Sequence, residues 1–133
     1  MLTLFPDLLN YSFFGPTIVR LALGGILLTL AYQHLTAREY ICHEMRARFG
    51  SLAPAISFSL PTLGATVGAL IVTGLFTQIA AFFTILLLVK FWVVRRTYRS
   101  IATPGALTLV LMGAIALSLL LTGPGAFAFD LPL

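Results

Sequence analysis

Charge is scarce in this sequence, and carboxylates are scarcer still. Asp and Glu together number 4 and Lys and Arg 8, so charged residues make up 9 % of the 133 positions. A water-soluble domain of this size needs far more polar surface to cover its core. A bilayer removes that need, because lipid solvates an apolar exterior. Paired catalytic carboxylates, a Ser/His/Asp arrangement, a phosphate-binding loop and a zinc motif are all missing from the sequence. The single cysteine, Cys42, excludes an intramolecular disulfide, a four-thiolate metal centre and Cys-x-x-Cys redox chemistry. The 2 histidines, His34 and His43, both precede the second apolar stretch. Membrane haem b takes imidazoles from helices that face each other across the ring, so a haem held within one copy is disfavoured. A metal site at Cys42, His43 and Glu44 fails as well, since adjacent residues rarely converge and a fourth ligand is missing. The first apolar stretch lacks the embedded carboxylate that a proton-coupled small multidrug transporter would need. No basic start or small-residue cleavage site precedes Gly15, so that stretch is expected to act as its own insertion signal.

What the sequence does have is apolar length. Hydrophobic residues reach 59 % and the mean hydropathy is +1.04. Residues 17–35, 56–76, 79–94 and 104–122 read as transmembrane helices, which predicts an all-α, integral membrane four-helix transmembrane bundle spanning 1–133 as one domain. Gly15-Pro16 and Pro104 suit helix starts, where a missing N–H costs nothing. Pro61 should bend the second span, and Gly123-Pro124-Gly125 should end the fourth. Residues 1–14, broken by Pro6, Asp7 and Asn10, read as an interfacial lead-in. Residues 36–54 hold enough polarity for an amphipathic turn at the surface, and Thr77-Gln78 reads as a tight hairpin.

The formal charge of +4 and pI of 9.9 do not point to nucleic acid. In a membrane protein they report loops facing the anionic cytoplasmic leaflet. Arg38, Arg46, Arg48, Arg95, Arg96 and Arg99 fall in the loops after the first and third spans. The expected location is the bacterial inner membrane, with basic loops cytoplasmic and both termini outside.

Ionisable groups in apolar spans are functional candidates by default. Arg20 lies about 5 Å into the first span by helical rise. It either snorkels to the interface or forms a structural ion pair, for which Asp130 is preferred over Asp7. Lys90, about 7 Å before Arg95 along its helix, either snorkels or faces a polar cavity. Tyr32, Gln33 and His34 either line a quinone-headgroup or substrate pocket at the cytoplasmic edge or belong to an interfacial aromatic belt. Small residues mark helix packing: Gly64 and Gly68 form a Gly-x-x-x-Gly face, with Gly24, Gly25 and Gly113 on other spans. Phe82, Phe83, Phe91 and Trp92 read as lipid-facing or packing aromatics.

Three stretches in order resemble the DoxX family of small four-helix membrane proteins, which includes the small-subunit type of thiosulfate:quinone oxidoreductase. They are Arg20-Leu21-Ala22-Leu23-Gly24, Gly74-Leu75-Phe76-Thr77-Gln78-Ile79-Ala80-Ala81, and Gly123-Pro124-Gly125-Ala126-Phe127-Ala128-Phe129-Asp130. The chain departs from that pattern at Gln78, where the family usually carries arginine, at Gly64 in place of a glutamate, and at Ala31-Tyr32-Gln33-His34 in place of glycine-lysine. The scaffold is kept while much of the polar core is absent. Two functions follow as expectations. The first is an accessory or structural subunit of a larger respiratory or photosynthetic membrane complex, without catalytic activity of its own. The second, implied by the resemblance, is a redox subunit passing reducing equivalents to membrane quinone, with a partner supplying the redox centre. No cofactor is expected to be held by this chain alone, although quinone or lipid could sit at its surface. The expected partners are the lipid bilayer, other transmembrane subunits or further copies of the chain, and no nucleic acid.

Overall fold

The computed structural model describes residues 14–97 and 104–123, and among these the chain is helical with short connections. Five α-helices follow one another: α1 (Phe14–Thr36), α2 (Arg38–Phe49), α3 (Ala53–Thr73), α4 (Thr77–Thr97) and α5 (Ala106–Thr122), with a 3₁₀ turn at Gly50–Leu52 between α2 and α3. Two segments, Phe14–Thr36 and Gly50–Thr73, are long and apolar enough to cross a membrane, while Thr77–Val93 and Ala106–Thr122 are shorter apolar helices. A 17-residue helix is about 25 Å long, at the lower limit of what spans a hydrocarbon core.

The long helices form an up-and-down ring. The α1–α3 and α4–α5 pairs pack most extensively, and α3–α4 and α1–α5 contacts close the circuit. Leu23 and Leu27 of α1 meet Val67 and Ile71 of α3, Ala80, Ala81, Leu87 and Leu88 of α4, and Leu109, Met112, Ala116 and Leu119 of α5 in one buried cluster. The α1–α3 pair approaches closely because two glycines stand where the helices cross. A methyl group on Gly24 would lie 2.5 Å from Val72 Cγ2 and 3.0 Å from the Gly68 carbonyl oxygen. One on Gly68 would lie 3.2 Å from Leu27 Cβ. Gly64, one helical turn away, is looser, with Ala31 Cβ at 3.7 Å, and Gly113 only comes within 3.9 Å of Leu88 Cδ1.

The connections differ from those read off hydropathy. Residues 36–54, expected as a surface turn, contain a full helix, α2, and a 3₁₀ turn. Ile41 and Met45 of α2 bury themselves against Ala53, while Arg38, Glu39, His43 and Arg46 stay on its open side. The second span ends at Thr73 rather than at 76. Gly74 adopts φ 73°, ψ 26°, and its N–H donates to the Leu70 and Ile71 carbonyls. The Leu75 N–H also reaches the Leu70 carbonyl, at 3.1 Å. These bonds form a Schellman cap, which only a residue tolerant of the left-handed region completes cheaply. The hairpin is therefore Gly74-Leu75-Phe76, and Thr77, expected within the turn, begins α4. Replacing Gly74 with alanine is expected to cost about 1–2 kcal/mol through its left-handed φ, and asparagine less, read as thermal unfolding in detergent.

Pro104 stands ahead of α5 rather than in its first turn, and Gly105 with φ −55°, ψ 153° is the N-cap. The Arg95 guanidinium donates to the Pro104 carbonyl at 2.6 Å, tying the end of α4 to the start of α5. Pro61 lies inside α3 and is buried. It has no N–H, so the Ser57 carbonyl loses its intrahelical donor.

Candidate functional site

Among the described residues, the charged side chains other than Arg20 belong to one end of the bundle, where α1 finishes, α2 crosses, α3 begins and α4 ends. A narrow recess, partly open to the outside, lies there. Its walls are almost wholly apolar: Leu27, Leu30 and Ala31 from α1, Ile41 and Met45 from α2, Leu60, Pro61 and Gly64 from α3, and Phe91 from α4. The polar residues among its lining are His34, Ser57 and Lys90.

Each of these is positioned by its own helix. The His34 Nδ1 lies 2.7 Å from the Leu30 carbonyl oxygen one turn back. A carbonyl only accepts, so Nδ1 carries the proton and Nε2 is the nitrogen left for other partners. The imidazole also packs against Phe91 across the bundle, with ring centroids 5.3 Å apart at an interplanar angle of 46°. Lys90 Nζ lies 5.9 Å from the centroid of the same Phe91 ring. The Ser57 hydroxyl donates to the Pro54 carbonyl at 3.0 Å, so its donor is already used. The recess thus offers an apolar slot with one imidazole and one ammonium beside it.

Of the three neighbours Tyr32, Gln33 and His34, only His34 lines this recess. Tyr32 is 71 % exposed and Gln33 is exposed on other sides of α1. The reason is rotation: successive residues of a helix turn by about 100°, so three consecutive side chains do not share a face. Lys90, which the sequence left between snorkelling and a cavity, borders the recess from α4. Ser57 and Phe91, not singled out as lining residues beforehand, are brought in by folding.

Arg20 is 2 % exposed, so it is enclosed rather than extended to the surface. Its preferred partner, Asp130, lies outside the described residues, as does Asp7. A second, shallower groove runs along the open side of α2, bordered by Arg38, Glu39, Cys42, His43, Arg46 and Phe58, and it shares Ser57 with the recess. Among the described residues, no group of three or more His, Cys, Asp or Glu is placed to hold a metal ion.

Outside the bundle the surface is strongly apolar. Ile18, Phe58, Leu63, Phe82, Phe83, Leu86, Leu107, Leu111, Leu117 and Leu121 are all exposed. The hydroxyls of exposed Thr29, Ser59, Thr62, Thr66 and Thr73 turn back onto carbonyls of their own helices at 2.8–3.2 Å. Compared with known protein families, with curated proteins and with solved structures, the chain finds no match.

Proposed function

We propose that this chain is a small integral membrane subunit whose four long helices form a transmembrane bundle. In this reading it serves as an accessory or structural component of a larger complex in the bacterial inner membrane. The observation that carries the reading is the outward face of the two longest apolar segments. Only 33 % of the most apolar window of each is buried within the chain. A core helix of a soluble protein hides such a face; here its cover must come from lipid or from other helices. Self-satisfied hydroxyls fit the same medium, where no water is available to bond them. The DoxX-like resemblance belongs to this proposal as a likeness of scaffold.

Orientation follows from charge. Arg38 and Arg46 on α2 and Arg95 and Arg96 at the end of α4 lie at the same end of the up-and-down ring. The positive-inside rule puts that end in the cytoplasm and both termini outside. The native thiol of Cys42 is half-buried, so a cleaner probe is Tyr40→Cys in a Cys42→Ser background, since Tyr40 is exposed. A membrane-impermeant maleimide is expected to label it in inverted vesicles and not in intact spheroplasts. Labelling of intact spheroplasts would reverse the orientation; release of the chain into detergent-free buffer would remove the membrane reading itself.

A second reading, a redox subunit passing reducing equivalents to membrane quinone, draws support from one feature, the apolar recess bordered by His34 and Lys90. It needs a partner subunit to supply the redox centre. Quinone-dependent activity that is lost on changing His34, with assembly intact, would favour it over the structural role.

A further inference from the structure

We infer that the recess at the basic end of the bundle is a binding site for one anionic single-chain amphiphile, its carboxylate or phosphate head at Lys90 and its acyl chain along the apolar wall. The inference rests on the membrane reading above and adds a ligand to it.

The argument begins with charge. The ionisable groups that border the recess are His34 and Lys90, and no carboxylate is among its lining residues. An ammonium carries three donors. The ring of Phe91, 5.9 Å from Nζ, offers it a π-face but no acceptor atom. An anionic head supplies acceptors and charge together, which a neutral head does not.

The walls determine the rest of the ligand. Leu27, Leu30, Ala31, Leu60 and Gly64 present hydrocarbon or bare backbone to the slot. Gly64 adds bare backbone to this wall, and a Cβ there would meet Ala31 Cβ at 3.7 Å. An inorganic anion would leave this surface uncovered, whereas an alkyl chain covers it with hydrocarbon. The position is also right for a lipid, because Lys90 lies about 7 Å along the helix from Arg95, near the depth where headgroups meet hydrocarbon.

The test uses the full chain in a neutral maltoside detergent, with ligand occupancy read by native mass spectrometry. The probes are palmitate, hexadecyl phosphate, hexadecanol, decylubiquinone and inorganic phosphate. One equivalent of palmitate or hexadecyl phosphate is expected to bind at least about tenfold more tightly than hexadecanol, the size of one charge-assisted hydrogen bond. The stronger of the two anions identifies the head. Lys90→Gln should remove about tenfold of that affinity, and Gly64→Leu, which fills the slot, should weaken every chain-bearing probe. Hexadecanol or decylubiquinone binding as tightly as palmitate would overturn the inference, as would Lys90→Gln without effect. Inorganic phosphate competing as strongly as hexadecyl phosphate would overturn it in favour of a simple anion site. Insensitivity to Lys90→Gln leaves the membrane reading standing, and a chain soluble without detergent defeats that reading whatever it binds.

Discussion

Alanine at Gly24 is expected to destabilise the bundle by about 1–3 kcal/mol, while alanine at Gly64 leaves it unchanged or up to about 1 kcal/mol more stable. Both substitutions add one methyl group to a helix interior, and both gain helix propensity. They differ in what the methyl meets. At Gly24 it would run into Val72 Cγ2 at 2.5 Å and the Gly68 carbonyl at 3.0 Å. Neither is the far end of a flexible side chain, so α1 and α3 must separate. At Gly64 the nearest atom is Ala31 Cβ at 3.7 Å, an ordinary contact. Gly68→Ala should fall between them, since Leu27 Cβ, Leu28 Cγ and the Gly24 carbonyl lie at 3.2–3.3 Å. Thermal unfolding of the three variants in one detergent reads the order directly. Equal losses at Gly24 and Gly64 would show that the crossing is placed wrongly.

The second large effect separates lipid from water as the solvent of the outer faces. Leu86 in α4 and Leu117 in α5 are 50 % and 51 % exposed near the middle of their helices. In a bilayer, lysine at either position is expected to cost about 2.5–3.5 kcal/mol of insertion free energy, and the double variant Leu86→Lys/Leu117→Lys should fail to integrate. In water the same changes on an exposed surface would stay within about 0.5 kcal/mol and raise solubility. Carbonate-resistant membrane recovery measures which holds. Full recovery of the double variant in the membrane pellet would place these faces against protein or water rather than lipid.

Much of the fold could be read from the sequence because helices in an apolar chain are dictated by run length. The segments 17–35, 56–76, 79–94 and 104–122 match α1, α3, α4 and α5 to within a few residues at each end. What hydropathy could not see was capping. Gly74 ends α3 through backbone geometry rather than polarity, and Leu75 and Phe76 look as apolar as the helix they follow. Helix α2 was hidden for a different reason. Its apolar residues, Ile41 and Met45, are one turn apart within a polar stretch, too few to register as a periodic face. The candidate site was legible only in its members. His34 and Lys90 stood out singly as polar residues in apolar surroundings, but they are 56 positions apart in the chain. Nothing local ties one to the other; the antiparallel ring does. Tyr32 and Gln33 were drawn in by adjacency to His34, which helical rotation undoes.

The placement of α2 carries one more consequence. A single amphipathic helix supplies Ile41 and Met45 to the apolar recess and Arg38, His43 and Arg46 to the groove on its other side. It is only 12 residues long and is joined to α1 through Ala37 alone. Three turns of helix are too stiff to bend between the two faces, so a rotation of α2 on one side would shift the arginines on the other by the same angle. The two faces of this short helix are thereby coupled, since any tilt would carry the arginines and the apolar pair together.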